Sequence, residues 1–238
     1  QKLRLLREYL QAHRVKTSVA VAVQKQIMAR LDARRKLDES SVSALDLLAS
    51  TLRLELRLEI AKEPLATHGL FRFLLSTDMK WCIISLGHAI EITQMRSHDD
   101  VFFPGVEACA AYCLVEGSVA YIQEPDYAPV LQHTESFAGP GDWAAESAMW
   151  TEWKHVGHMK ARSACTLLTI NPGQLEKALQ AKLRIMELAL AYAFEFHKRL
   201  IASRPPAAPW PTDLEVPGTE WGELVLALPL PLQLELSL

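Results

Sequence analysis

The chain has 238 residues, half of them hydrophobic and 22% charged, with a formal net charge of −3. That balance is normal for a soluble globular protein and leaves room for one domain of ordinary size plus a smaller one. No apolar run reaches the ~18 residues needed to span a bilayer. Residue 1 is Gln and the start is charged and periodic, so no signal peptide is expected and the chain reads as a cytosolic piece of something longer. Cys82, Cys109, Cys113 and Cys165 lie in apolar runs without CxxC spacing. They are expected as reduced core residues, not as a metal site or a disulfide framework.

The charge is uneven. Residues 1–36 carry Lys2, Arg4, Arg7, Arg14, Lys16, Lys25, Arg30, Arg34, Arg35 and Lys36 against Glu8 and Asp32, whereas residues 205–238 carry five acids and no base. A basic helical start either faces an anionic partner, such as lipid or nucleic acid, or is a solvated helix face.

Leu3, Leu6 and Leu10 share one face of a helix over residues 1–13, and Val19, Val23, Ile27 and Leu31 mark a second, capped at Thr17 or Ser18 and reaching about Lys36. A third, short helix carries Val42, Leu45 and Leu48. From Leu52 to Ile60 apolar and charged residues alternate, which by period alone argues strand. Leu, Arg and Glu favour helix, and that reading gives leucines on two opposed faces, so the segment needs two partners. A helical piece follows at Ser76–Leu86.

From about Ala89 short β-rich runs alternate with turn signals: Ala89–Gln94, Val101–Phe103, Ala111–Val115, Ser118–Gln123, Val130–Gln132 and Ala164–Ile170. This spacing suggests a small jelly roll or barrel. Asn171 then caps a helix with Pro172 at its first position, and helix continues to about Ser203 with a break near Gln180. Leu179, Leu183, Met186, Leu190 and Phe194 form its main stripe, widened by Ile185, Leu188, Tyr192 and Phe196. Seven prolines follow Arg204, and that tail is expected to be disordered or docked on something absent.

The stretch Gly139–Ile170 carries Gly141, Asp142, Glu146, Ala148, Cys165, Leu167 and Leu168 at the positions of a known pattern. It resembles the phosphate-binding cassette of cyclic nucleotide-binding domains, a G-D-x-F-G-E-x-A-L-L turn and helix followed by a strand ending D-C-x-L-L-x-L. Asp100-Val101-Phe102 before Pro104-Gly105 resembles that family's G-D-x-V/I-F-x-x-G-E, and Tyr112-Cys113-Leu114-Val115-Glu116-Gly117 its M-Y-F-V-x-x-G. Residues 1–203 as a whole resemble the C-linker plus cyclic nucleotide-binding domain of voltage-gated and cyclic nucleotide-gated cation channels. The resemblance implies an α+β fold: a helical linker over 1–75, a β-roll with terminal helices over 76–203, and a Pro-rich acidic tail over 204–238. It also implies a non-enzymatic cytoplasmic gating module of a homo- or heterotetrameric, membrane-located channel, potassium-selective by expectation. Its linker would form the tetramer beneath transmembrane pore segments absent from this chain, with the basic residues near anionic inner-leaflet lipid and no nucleic-acid partner.

In such a family the ligand is cAMP or cGMP, held by backbone N–H groups at a short helix start, an arginine, and an acid on the ribose; no cofactor or metal is implied. The residues at these positions are Ala145, Glu146, Ser147, His155 and Val156, with Met186 and Leu190 on the last helix either capping a purine or packing in a core. Ala144 and Ala145 replace the family's Phe-Gly, and His155 stands where arginine belongs. Arginine is a permanent bidentate cation, whereas histidine titrates near ~6.5. Losing that contact costs about 2 to 3 kcal/mol, so weak binding or none is expected, as in ether-à-go-go-type channels of the same family. Glu146 takes the ribose hydroxyl or is an ordinary capping acid. Two alternatives remain: a cAMP/cGMP sensor of the kinase-regulatory-subunit type, and more remotely a cupin-like metal enzyme using His133, Glu135, His155 and His158.

Overall fold

The computed structural model describes residues 2–32, 42–77 and 79–236. Two helices open it, α1 (Lys2–Ala12) and α2 (Thr17–Asp32). The expected continuation of α2 to Lys36 lies outside the described residues. The third helix is reduced to a single 3-10 turn, Ser43–Leu47, which buries no side chain.

The alternating segment is helical, within α3 (Ser50–Leu65). Four-residue spacing places Leu54, Leu58, Ala61 and Leu65 on one side, and the last three are at most 2% exposed. Leu52, Leu56 and Ile60 point outward at 50%, 37% and 56% exposure, so among the described residues only one of the two apolar faces is covered. Pro64 sits inside the last turn, where little helix remains to be broken. Next, α4 (Gly69–Thr77) starts earlier than the expected helical piece and buries Leu70, Phe71, Leu74 and Leu75. Short helical turns α5 (Met79–Trp81) and α6 (Gly87–Ala89) flank a π-helical turn and lead into the strands.

Among the described residues eight strands form two antiparallel four-stranded sheets: β1 (Ile90–Met95), β8 (Cys165–Ile170), β3 (Ala111–Glu116) and β6 (Trp143–Ala144) in one, and β2 (Asp100–Phe102), β7 (Gly157–Ala161), β4 (Val119–Gln123) and β5 (Thr134–Ala138) in the other. The fold is α+β, a β-roll dressed with helices. Three strands were not anticipated. β5 is a polar edge strand, and β6 is only two residues long. In β7, Gly157, Met159 and Ala161 point inward, while His158 and Lys160 face out and give the segment the look of a loop. The expected strand Val130–Gln132 is instead a loop, in which Leu131 is fully exposed. Gly117 adopts φ +89°, as a tight turn into β4 demands, and a Cβ there would lie 2.4 Å from the Ala164 carbonyl.

Side-chain alternation divides the core in two. Phe102, Leu114, Val119, Tyr121, Met159 and Leu167 fill the roll. On the other face of the first sheet Leu168 and Ile170 pack with Leu58, Phe71, Leu188 and Phe196 from the helices. Hence β8, covered on both faces, reads as a continuous apolar run.

Asn171 Oδ1 accepts the Gln174 N–H at 2.9 Å and caps α8 (Pro172–Gln180), which a break separates from α9 (Leu183–Ala202). The two stripes of α9 have exchanged roles. Ile185, Leu188, Tyr192 and Phe196 are buried, while Leu183, Leu190 and Phe194 are exposed. The tail requires a larger correction, because it is ordered and folds back over the molecule. Val216, Leu224 and Leu228 complete the helical core, the first ahead of α10 (Trp221–Ala227), the second within it and the third just beyond it. The Trp221 ring lies so close over Gly69 that a Cβ there would come within 2.3 Å of it, and α11 (Leu230–Leu236) follows. Short segments between prolines show no period in the sequence, yet residues 212–216 and 218–228 carry the buried anchors Asp213, Val216, Leu224 and Leu228.

Candidate functional site

The resemblance marked the turn between β6 and β7 as the ligand cassette. In it Ala145 takes φ +55°, the left-handed conformation that glycine adopts without penalty. A short helix α7 (Ser147–Trp150) follows, and the chain returns through Trp153 and His155 to Gly157 at the start of β7. An alanine held at positive φ pays for its Cβ, so Ala145→Gly is expected to stabilise the protein by about 1 kcal/mol, read as a rise in the denaturation midpoint.

This turn encloses Asp213, whose side chain is completely buried. Its Oδ1 accepts hydrogen bonds from Trp153 Nε1 and from His155 Nδ1, both at 2.8 Å. Its Oδ2 accepts from the Tyr121 hydroxyl at 2.8 Å, the Val156 N–H at 2.9 Å and the Gly157 N–H at 3.1 Å. The Asp213 carbonyl accepts the Ala145 N–H, and its own N–H reaches the Tyr121 oxygen at 3.2 Å. Since a carboxylate only accepts, His155 carries its proton on Nδ1. The imidazole is further fixed by stacking on Phe102, with ring centroids 3.7 Å apart.

The segment delivering Asp213 is shaped for the purpose. Thr212 Oγ1 accepts the N–H groups of Leu214 and Glu215, and the Thr212 N–H donates to the Glu215 carbonyl, which leaves Asp213 at the tip of a tight turn. The site therefore holds one anionic group with five donors, none of them from lysine or arginine. Burial, and then the Asp213 charge, push the Tyr121 hydroxyl far above its ordinary pKa, so it remains a donor. Gly157 lies directly beneath the Tyr121 ring, and an added Cβ would come within 2.5 Å of it. Gly157→Ala is expected to displace that ring at a cost of about 1 to 3 kcal/mol, visible in thermal melting.

Glu146 is not among the partners of Asp213, although it borders a small depression that Asp213 and Ser147 also line. Its Oε1 accepts from His68 Nε2 at 2.9 Å, Tyr192 Oη at 3.2 Å and Trp150 Nε1 at 3.4 Å, tying the cassette to the α3–α4 corner and to α9. Trp143 Nε1 donates to Thr67 Oγ1 at 2.8 Å at the same corner. Burial alone would raise the Glu146 pKa, but the His68 charge and these hydrogen bonds outweigh it and hold the carboxyl below its ordinary value. A depressed carboxyl contributes stability that is present above its unfolded pKa, near about 4.3, and is lost as pH falls through the folded value. Stability is expected to fall on acidification below about pH 4.5, and Glu146→Gln should flatten that limb of the denaturation profile.

Of the other predicted site residues, Ser147 is buried beside Thr212 and Asp213 at a depression of about 200 Å³. Met186 and Leu190 instead line a separate groove of about 710 Å³ between α7, α8 and α9. His155 and His158 have carboxylate partners, Asp213 and Asp100, and among the described residues no three His, Cys, Asp or Glu side chains are grouped to hold a metal. Among the described residues no helix is long and apolar enough to cross a membrane. Sequence reasoning missed Asp213, Tyr121, Trp153 and His68. A tail with five acids and no base was the available signal for the first.

No protein-family model and no curated protein matches the sequence. Solved structures similar to it include the N-terminal domain of a transcriptional regulator from Streptomyces coelicolor A3(2), at 19% identity and TM-score 0.47, covering 58% of this chain and 92% of that one. A second is a cyclic nucleotide-binding-like protein from Brucella abortus bv. 1 str. 9-941, at 22% identity and TM-score 0.41, covering 50% of this chain and 96% of that one.

Proposed function

We propose that the chain is a regulatory module of the cyclic nucleotide-binding type whose pocket is held by its own C-terminal segment, with Asp213 in place of the nucleotide phosphate. The observation that carries this reading is the set of donors converging on Asp213. Ala145, His155 and Val156, which the resemblance assigns to phosphate binding, all bond this one residue. The positive φ at Ala145, where the family pattern has glycine, supports the same assignment. A site without a guanidinium holds a carboxylate presented intramolecularly, at high effective concentration, better than a free phosphodiester.

In this reading the module works without catalysis, as the cytoplasmic gating module of a tetrameric cation channel with potassium as the expected ion. Residues 1–75 act as the linker. The outward face of Leu52, Leu56 and Ile60 then meets a neighbouring subunit, and the His68–Glu146–Tyr192 node passes the state of the pocket to the linker. The test is calorimetric titration of the intact chain and of Asp213→Ala with cAMP and cGMP. The intact chain is expected to show no saturable binding up to about 1 mM, and the variant to bind at least tenfold more tightly. Equal behaviour of the two chains, binding or not, removes the competition between tail and nucleotide.

A further inference from the structure

The outward face of α9 carries four large apolar side chains, Leu183, Leu190, Phe194 and Ile201, exposed by 65%, 62%, 68% and 65%. They are separated by seven, four and seven residues, a spacing that reads the same in both directions. At about 100° per residue all four fall within about 40° of one another around the helix. They form one straight seam about 27 Å long. Tyr192, at the centre of the pattern, points the opposite way into the core.

We infer that this seam pairs with the same seam of a second copy of the chain, in antiparallel orientation about a two-fold axis that crosses the seam between Leu190 and Phe194. A two-fold contact must be self-complementary, and the spacing supplies that. Leu183 meets the partner's Ile201, and Leu190 meets the partner's Phe194. The flanking charges select the orientation. Glu187 and Lys198 are both exposed, lie on the same side of the seam, and are equidistant in sequence from its centre to within one residue. Antiparallel pairing sets Glu187 beside the partner's Lys198 at both ends of the contact. Parallel two-fold pairing would place the two Glu187 side chains on opposite edges of the contact, with neither beside a lysine, and so forgoes the ion pair. Among the described residues Lys198 pairs with Glu195 at a long 3.5 Å, a contact the intermolecular pair can replace. One helix pair of this length falls below the roughly 800 Å² per partner of a standard interface, so the dimer is a weak, reversible one. This inference goes beyond the pocket and does not depend on how the pocket is read.

Sedimentation velocity of the full chain between about 1 and 200 µM is expected to show a monomer–dimer equilibrium with a dissociation constant in the micromolar range. Leu190→Glu, an exposed substitution whose folding is checked by circular dichroism, should leave only monomer. Glu187→Lys should weaken the dimer at least fivefold, and adding Lys198→Glu should restore it. In a Cys109→Ser background, mixing Leu183→Cys with Ile201→Cys should give a disulfide-linked heterodimer, while Leu183→Cys alone should not self-link. A monomer at every concentration, a dimer indifferent to Leu190→Glu, or self-linking of Leu183→Cys each overturns the proposal.

Discussion

Asp213→Ala is expected to release the C-terminal segment. The substitution leaves the indole of Trp153, the imidazole of His155, the phenol of Tyr121 and two backbone N–H groups without their shared acceptor. Stranding buried donors at a charged site costs about 3 to 5 kcal/mol, which is comparable with the whole stability of a marginal domain. The cost is limited by escape. Once the turn at 212–215 leaves, water reaches the donors, and the helical core loses Val216 but retains Leu58, Phe71 and Phe196. The expected result is a lower melting temperature together with rapid proteolytic cleavage between residues 204 and 220, the β-roll remaining intact. Asp213→Asn keeps one acceptor oxygen but introduces a donor facing donors, so it is expected to fall between wild type and alanine.

His68→Leu is the second large effect. Glu146, whose side chain is 24% exposed, would then keep only the neutral donors Trp150 and Tyr192. Breaking a fully buried pair on one side costs about 3 to 5 kcal/mol, and because water reaches Glu146 the expected cost here is about 1 to 3 kcal/mol. Tyr192 reports on the same event, because burial and then the Glu146 charge hold its hydroxyl well above the ordinary range. His68→Leu combined with Glu146→Leu should recover much of the loss, because the charge and its partner leave together. Chemical denaturation of both single variants and the double variant gives that coupling energy, and strict additivity would show that the two residues are not coupled.

The parts of this protein legible in its sequence are those set by local chemistry. Asn171-Pro172 announced the start of α8 because capping and a fixed φ act within four residues. Gly117 announced a turn because the backbone there needs positive φ, and the leucine-rich alternation at 52–60 resolved to helix on propensity. The strands that escaped notice, β5 and β7, owe their identity to partners far away in the chain. His158 and Lys160 on the open face of β7 mask the alternation of Gly157, Met159 and Ala161. The two apolar stripes of α9 carry nearly equal hydrophobicity, and only the position of the roll and of α3 decides which one is buried.

The candidate site was half legible for a related reason. Ala145, His155 and Val156 belong to one short stretch and could be located by pattern. Asp213 lies 57 residues beyond Val156, behind a helix and a run of prolines, and it is joined to that stretch only through tertiary structure. Glu146 was located by the same pattern, but His68, brought against it at the corner between α3 and α4, holds its carboxylate, so it takes no part in the Asp213 cluster.

The most direct test of the self-filled pocket is amide hydrogen exchange at Ala145, Val156 and Gly157 in the intact chain and in Asp213→Ala. The account predicts strong protection of all three in the intact chain, and exchange accelerated by at least a hundredfold in the variant while the amides of β8 are unchanged. Equal exchange at these three amides in the two proteins would show that Asp213 does not occupy the pocket.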